Sequence, residues 1–331
     1  MPDFTPIRPI STATSARRWL LAASAGLLLL SGCSSGGTTP AAGGSGSPAA
    51  ATGSATSYPT QDVVSDIAVD SALKAQLAGA VPGNNGSLTL GTTLSPGLTG
   101  LPHVGTSADG QQIGADIDLR NAVAKLLGIT WNVQEGTFAT IIPGVQNGKY
   151  QVGQDNFGVT AAREQVVDFA TYITDGQSFL APADSKLGAI SSDTDLCGHT
   201  IGTGAGTTFQ QILTKDAGDC AKAGKPAYTV QYFTDNSAIF LGLANGRLDL
   251  YFGPTLGLKY DAAHVSGVKF LSQFSSTAVG FVTAKGSPLS KVLSAAVNEL
   301  ISDGEYAKIL TKWDINGYGL ADSQVNPAPQ L

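Results

Sequence analysis

From residue 87 onward the chain alternates short apolar strands with helical stretches, and this rhythm constrains its fold more than any single motif. Residues 87–94 read as a strand, and Asp109-Gly110 as a turn before Ile113. Residues 118–127 set Leu119, Val123, Leu126 and Leu127 along one helical face, which Gly128 ends. Residues 130–134 form a second strand, residues 138–146 a short helix with Pro143 inside it or at a kink, and residues 150–154 a third strand. The order repeats as strand 228–233, helix 236–244 and strand 247–252, with Asn245-Gly246 at the break. Helices at 289–302 and 305–313 close the pattern. Such strand–helix–strand units predict parallel sheets with helices packed on them, an α/β fold.

What precedes this region does not read as part of the fold. Arg17-Arg18 leads into an apolar run at residues 19–29, followed by Leu30-Ser31-Gly32-Cys33. A charged start, a short apolar middle and small residues before a cleavage point predict an export signal over residues 1–32. The run falls short of the roughly 20 apolar residues that span a bilayer. Leu30-Ser31-Gly32-Cys33 resembles the lipobox of bacterial lipoproteins, which implies that Cys33 becomes the lipidated first residue. The arginine pair fits twin-arginine and general export alike, and the route stays open. Residues 33–60 are nearly all Ser, Gly, Thr, Ala and Pro, too polar to bury a core, and predict a disordered tether. A flexible coil of that length reaches on the order of 30 Å. Residues 61–86 form an N-terminal helical extension, with an amphipathic segment at 63–77 ended by Gly79 and Pro82.

Roughly 270 residues are left to fold, which suits two lobes or one large domain. Charged residues make up 13% of the chain, about half the usual share. Beyond residue 32 there are 16 basic and 24 acidic residues, a net charge of −8. No basic stripe exists for nucleic acid, and the acidic balance disfavours lying flat on an anionic bilayer. Cys197 and Cys220 are the two cysteines besides Cys33, and in an exported chain they are expected to pair. His103, His199 and His264 are scattered without ligand spacing, so neither metal nor cofactor is expected.

Two stretches carry candidate chemistry. Residues 154–163 (Gln-Asp-Asn-Phe-Gly-Val-Thr-Ala-Ala-Arg) leave the carboxyl end of a strand, where open α/β sheets bind ligands. Asp155, Asn156 and Arg163 place an acid, an amide and a guanidinium together. Arg163 either grips a carboxylate through two parallel hydrogen bonds or pairs with Glu164 or Asp168 on the surface. In residues 199–209 a strand runs into glycines and then a helix beginning near Thr207, whose free N–H groups favour an anion. Gly202 and Gly204 are followed by Thr207 rather than a third glycine, so the dinucleotide fingerprint fails. There is no Walker lysine, nucleophile elbow or histidine-centred triad.

The order of pieces from about residue 87 to 317 resembles the extracellular solute-binding proteins of family 3, the receptors of polar amino-acid ABC importers. Carrying it are residues 113–119 (IGADIDL), 138–143 (FATIIP), 158–163 (GVTAAR), 167–170 (VDFA), 201–208 (IGTGAGTT), 243–249 (LANGRLD) and 304–313 (GEYAKILTKW). The resemblance implies a periplasmic-binding-protein-like type II fold, two α/β lobes joined by two crossing segments near residues 174–178 and 273–277. Lobe 1 is then 87–177 with 275–318, lobe 2 is 178–274, and 319–331 is a C-terminal tail. It implies that Arg163 clamps a ligand carboxylate, that Thr207 and Thr208 bind it from the other lobe, that Phe138 lies against the ligand side chain, and that Asn156 and Gly158 add polar and main-chain contacts. Where the family has an acid for the ligand's ammonium stands Gly253, and an aromatic near Leu94 or Gly97 is missing. Asp155 is the expected substitute.

The expected function is therefore a lipid-anchored, extracytoplasmic, monomeric receptor on the outer membrane face that hands an amino-acid-like carboxylate to an ABC permease, without catalysis. The alternatives are a dehydratase-like cleft enzyme using Asp155 or Glu135, and a ligand-sensing lipoprotein.

Overall fold

The computed structural model describes residues 58–330. The export signal, Cys33 and the tether up to residue 57 lie outside the described residues. The described strands are β1 (Ser87–Thr92), β2 (Gly105–Thr106), β3 (Gln112–Ile113), β4 (Thr130–Glu135), β5 (Val152–Gly153), β6 (Val167–Pro182), β7 (Thr200–Gly204), β8 (Thr229–Phe233), β9 (Leu250–Pro254) and β10 (Val268–Ala284). Eight of them form one sheet of order β4-β1-β5-β10-β6-β9-β7-β8, and β2 and β3 make a separate hairpin.

The sheet is mixed, with the expected parallel pairing present in each half. β1 is parallel to β4 and β5, and β7 is parallel to β8 and β9. These two parallel sets are linked by an antiparallel ribbon, β6 against β10, paired from Val167↔Ala284 to Pro182↔Val268. β10 joins one set through β5, and β6 joins the other through β9. The crossing segments are thus the middles of two long strands. Register shifts at Phe270/Ser272, Gln273/Ser275 and Val279/Gly280 bulge the ribbon there, and bulges bend the strand that carries them. Gly280 is required at its bulge, because a Cβ would sit 2.6 Å from the Ala170 carbonyl oxygen.

Each half builds its own core from its helices. In the first half α1 (Ser71–Ala80), α2 (Ala115–Leu127), α9 (Leu289–Ser302) and α10 (Glu305–Lys312) pack on one another and against the sheet, burying Leu88, Leu90, Val123, Leu127, Val297 and Leu300. Gly128 caps α2 in the left-handed conformation at φ 64°. In the same half α3 (Phe138–Gln146) and the one-turn α4 (Ala161–Glu164) flank the strand ends. The second half packs α5 (Thr208–Lys215), α6 (Asp219–Lys222), α7 (Asn236–Ala244) and α8 (Thr255–His264) around β7 and β9. Its centre is the stack of Phe179 on Phe252, with ring centroids 4.2 Å apart. The Cys197–Cys220 disulfide is formed, with Cα atoms 5.5 Å apart, and ties the segment before β7 to α6.

The ends of the described chain are held by the first half. α1 starts at Ser71, later than the amphipathic pattern from residue 63 predicts, because the Asp70 side chain accepts from the Leu73 N–H at 2.8 Å and starts the helix there. Leu73 and Leu77 are buried, and each such side chain contributes about 2 kcal/mol. The C-terminal segment lies along β6 where β9 does not reach. Thr171 N–H donates to Gln324 O at 3.0 Å, and Asn326 Nδ2 donates to Asp168 Oδ1 at 2.8 Å. An open sheet edge is covered in this way.

Candidate functional site

The carboxyl ends of β1 and β5 from one half, and of β7 and β9 from the other, converge on a cavity of about 420 Å³. The ribbon forms its floor through Asp175, Gly176, Gln177 and Thr277. Six of the seven expected ligand residues line it: Phe138, Asp155, Asn156, Gly158, Thr207 and Thr208.

Arg163 stands directly behind the wall. Thr160 caps α4, its Oγ1 accepting from the Arg163 N–H at 3.1 Å, and this aims the side chain inward. The guanidinium donates to Gly158 O at 2.9 Å and to Gly206 O at 3.3 Å. It lies 5.4 Å from the Phe138 ring and 5.7 Å from the Phe157 ring. Its protein partners are carbonyls from both halves, not Glu164 or Asp168. Burial lowers its pKa to about 10, which the Asp155 charge opposes. Two of its five N–H groups are used by protein among the described residues, which leaves the guanidinium donors for an oxyanion. Facing it, Thr207 caps α5, accepting from the Gln210 N–H at 3.2 Å and donating to Gly204 O at 2.7 Å. The first N–H groups of α5 are therefore presented at the same wall. Gly158 has a packing reason, since a Cβ would lie 2.7 Å from the Thr277 methyl.

Asp155 supplies the opposite charge. Thr93 Oγ1 donates to its Oδ1 at 2.9 Å, while its Oδ2 is buried without a hydrogen-bond partner among the described residues. Burial pushes its pKa up to about 7, the Asp116 charge adding to the effect while Thr93 and His103 oppose it. Asn156, at φ 49°, also carries a buried Oδ1 without a partner. At Gly253 a Cβ would sit 2.8 Å from the Tyr251 ring, so the place of a side chain there is filled by that ring. The Tyr251 hydroxyl donates to Asn236 Oδ1 at 3.1 Å.

Sequence reasoning missed His103 and Asp175, which both line the cavity. His103 Nδ1 is 3.3 Å from Asp116 Oδ1, and its Nε2 is 3.0 Å from Asp175 Oδ2. Burial disfavours its charge, but the two carboxylates override this and raise its pKa to about 10. Considering His103 only as a metal ligand hid it. Glu135, weighed for catalysis, is exposed at the end of β4.

A cavity held between two α/β halves, lined from both and carrying an arginine behind one wall, defines the class as a two-lobed solute receptor. The chain belongs to the bacterial extracellular solute-binding proteins, family 3, whose family model matches residues 99–316. It is similar to the arginine-binding periplasmic protein of Mannheimia haemolytica, 26% identical over 216 residues that cover 63% of this chain and 84% of that protein. Among solved structures it resembles an ancestral arginine-binding protein bound to arginine, with 31% identity, a TM-score of 0.61, and 69% of this chain and 98% of that one covered. It also resembles the ancestral amino acid-binding protein AncCDT-1, a precursor of cyclohexadienyl dehydratase, at 27% identity and a TM-score of 0.61, covering 73% and 99%. No helix among the described residues is long and apolar enough to cross a membrane.

Proposed function

We propose that the cleft captures a cationic L-amino acid of the arginine type and delivers it to an ABC importer. The observation that carries this reading is the unpartnered, buried Oδ2 of Asp155, among the described residues, in a cavity with Arg163 behind its wall. Arg163 with the α5 N-terminus at Thr207 and Thr208 takes the α-carboxylate, Asp155 takes the α-ammonium, and Phe138 lies against the side chain. Asp155, Asp175 and Asp235 all line the cavity, against His103 within it and Arg163 behind it. With Asp155 ionised the site is net negative, Asp116 behind His103 adding to the excess, and among the described residues no lysine lines the cavity. A zwitterion with one further positive charge offsets part of it. The names of the arginine-binding relatives agree with this assignment.

The moving bodies are the lobes 87–177 with 275–318 and 178–274, closing about the bulged ribbon. The pattern Leu30-Ser31-Gly32-Cys33 supports attachment to the outer membrane face through Cys33, with the tether setting reach to the permease. The cleft is a receptor rather than an enzyme, because both nitrogens of His103 and both oxygens of Asp175 are committed and leave Asp155 no free acid or base beside it.

Titration calorimetry of the purified protein tests the assignment against arginine, lysine, ornithine, glutamine and agmatine. Tight binding of a cationic amino acid, with none of agmatine, which lacks the carboxylate, is expected. Glutamine binding more tightly than every cationic amino acid overturns the charge balance. Arg163→Ala is expected to weaken binding at least about thirtyfold, since removing one partner of a buried ion pair costs roughly 2–5 kcal/mol. Wild-type affinity in that variant removes the clamp.

A further inference from the structure

We infer that His103 is a positioning residue for ligand capture: held as an imidazolium between Asp116 and Asp175, it fixes the Asp175 carboxylate so that Asn156 keeps its amide nitrogen on the protein and its amide oxygen for a donor on the ligand. The inference rests on the reading of Asp155 as the ammonium partner and extends it to a second acceptor.

The charge state follows from geometry. An ionised carboxylate only accepts hydrogen bonds, and each ring nitrogen of His103 faces one. Both nitrogens therefore carry hydrogen. Asp175 Oδ1 accepts from the N–H groups of Gly176 at 2.7 Å and Leu256 at 3.0 Å. Asp116 Oδ2 accepts from the Tyr172 hydroxyl at 3.2 Å. The other oxygen of Asp175, Oδ2, takes the His103 proton and the Asn156 Nδ2 proton, the latter at 2.9 Å. That bond decides which end of the Asn156 amide is spent. Among the described residues, what remains is Asn156 Oδ1 without a partner, on the residue next to Asp155, whose Oδ2 is likewise unpartnered. Two unpartnered acceptors on consecutive residues, one of them negatively charged, suit an ammonium, which has three donors, and leave a methylene at the same place without a hydrogen bond.

The charged and titratable groups around His103 are Asp116 and, further along α2, Arg120; Asp175 and Tyr172 of β6; and Asp155 beyond β5. Around Asp155 they are Asp116, His103 and Arg163. The His103 cation favours ionised Asp155, so removing it moves the Asp155 titration to higher pH.

The test compares wild type with His103→Gln, measuring the affinities for arginine and for its des-amino analogue, 5-guanidinopentanoate, from pH 5 to pH 9. Wild type is expected to prefer arginine above pH 7, with that preference fading as pH falls. In His103→Gln the preference is expected to shrink at least tenfold and its pH midpoint to rise. A packing role alone lowers affinity for both ligands together and leaves the midpoint in place, and that result overturns the inference. Should wild type fail to distinguish the two ligands at any pH, the Asp155 reading itself falls. A second measurement reads the wild-type protein itself: 15N spectra of the imidazoles at pH 8, assigned by comparison with His103→Gln, are expected to show the His103 ring doubly protonated, and a neutral His103 ring refutes the inference.

Discussion

Asp155→Asn separates what the acid does for the ligand from what it costs the fold. An aspartate at its ordinary value of 3.8 is raised by burial to about 7 here. The folded chain therefore holds this proton more tightly than the unfolded chain does, and stability falls as pH rises between the two values. At 1.36 kcal/mol per unit, the loss is complete above pH 7 and amounts to about 4 kcal/mol. Asparagine has the same shape, keeps an oxygen for the Thr93 hydroxyl and carries no charge. The ligand-free variant is expected to match wild type near pH 4 and to exceed it at pH 8 by up to about 4 kcal/mol, roughly 10 °C in Tm for a chain of this size. Its affinity for arginine is expected to drop, and that for 5-guanidinopentanoate to hold. In wild type the ionised fraction at pH 6 is about a tenth, so arginine affinity is expected to fall about tenfold per unit below pH 7, with one proton released on binding. Thermal melts at both pH values, and calorimetry in buffers of different ionisation enthalpy, read these effects. An unchanged Tm at pH 8 with unchanged arginine affinity would refute the reasoning.

Three further outcomes follow from contacts described above. Gly253→Asp is expected to lower Tm because its Cβ meets the Tyr251 ring, and adding Tyr251→Ala to recover part of the loss; additive losses in the double-mutant cycle show that the two positions do not compete. Replacing both Cys197 and Cys220 by serine is expected to cost about 3 kcal/mol in denaturant melts, from a loop of 23 residues, while arginine affinity stays within about twofold. Thr207→Ala removes the cap of α5 and is expected to cost about 1 kcal/mol in the same melts as well as weakening carboxylate binding.

Elements bounded by local chemistry were legible to the residue. The helices Phe138–Gln146 and Asn236–Ala244 end at Asn147-Gly148 and Asn245-Gly246, and turn residues next to an apolar run need no tertiary information. The ribbon of β6 and β10 was not read as strands, because its pairing partners lie about a hundred residues apart and both strands are bulged. Only the family resemblance located its middle. In the site, strand-end polar residues were found because α/β folds gather them at one place. Arg163 stands one layer further back than a residue read from local chemistry would be placed. His103 escaped because its partners are 13 and 72 residues away, and no spacing rule links a histidine to carboxylates at such distances.

Both ends of the described chain rest on the same half: Tyr58, Val63 and Ile67 pack against its core, and Ser323 bonds to Ser294 and Thr171 there. Fluorophores attached at the two ends of the described residues would therefore ride on one body and stay silent under a closure of the cleft. A working optical sensor for the solute needs one fluorophore moved to the other body, and the exposed turn at Gly224, beyond α6, offers the place.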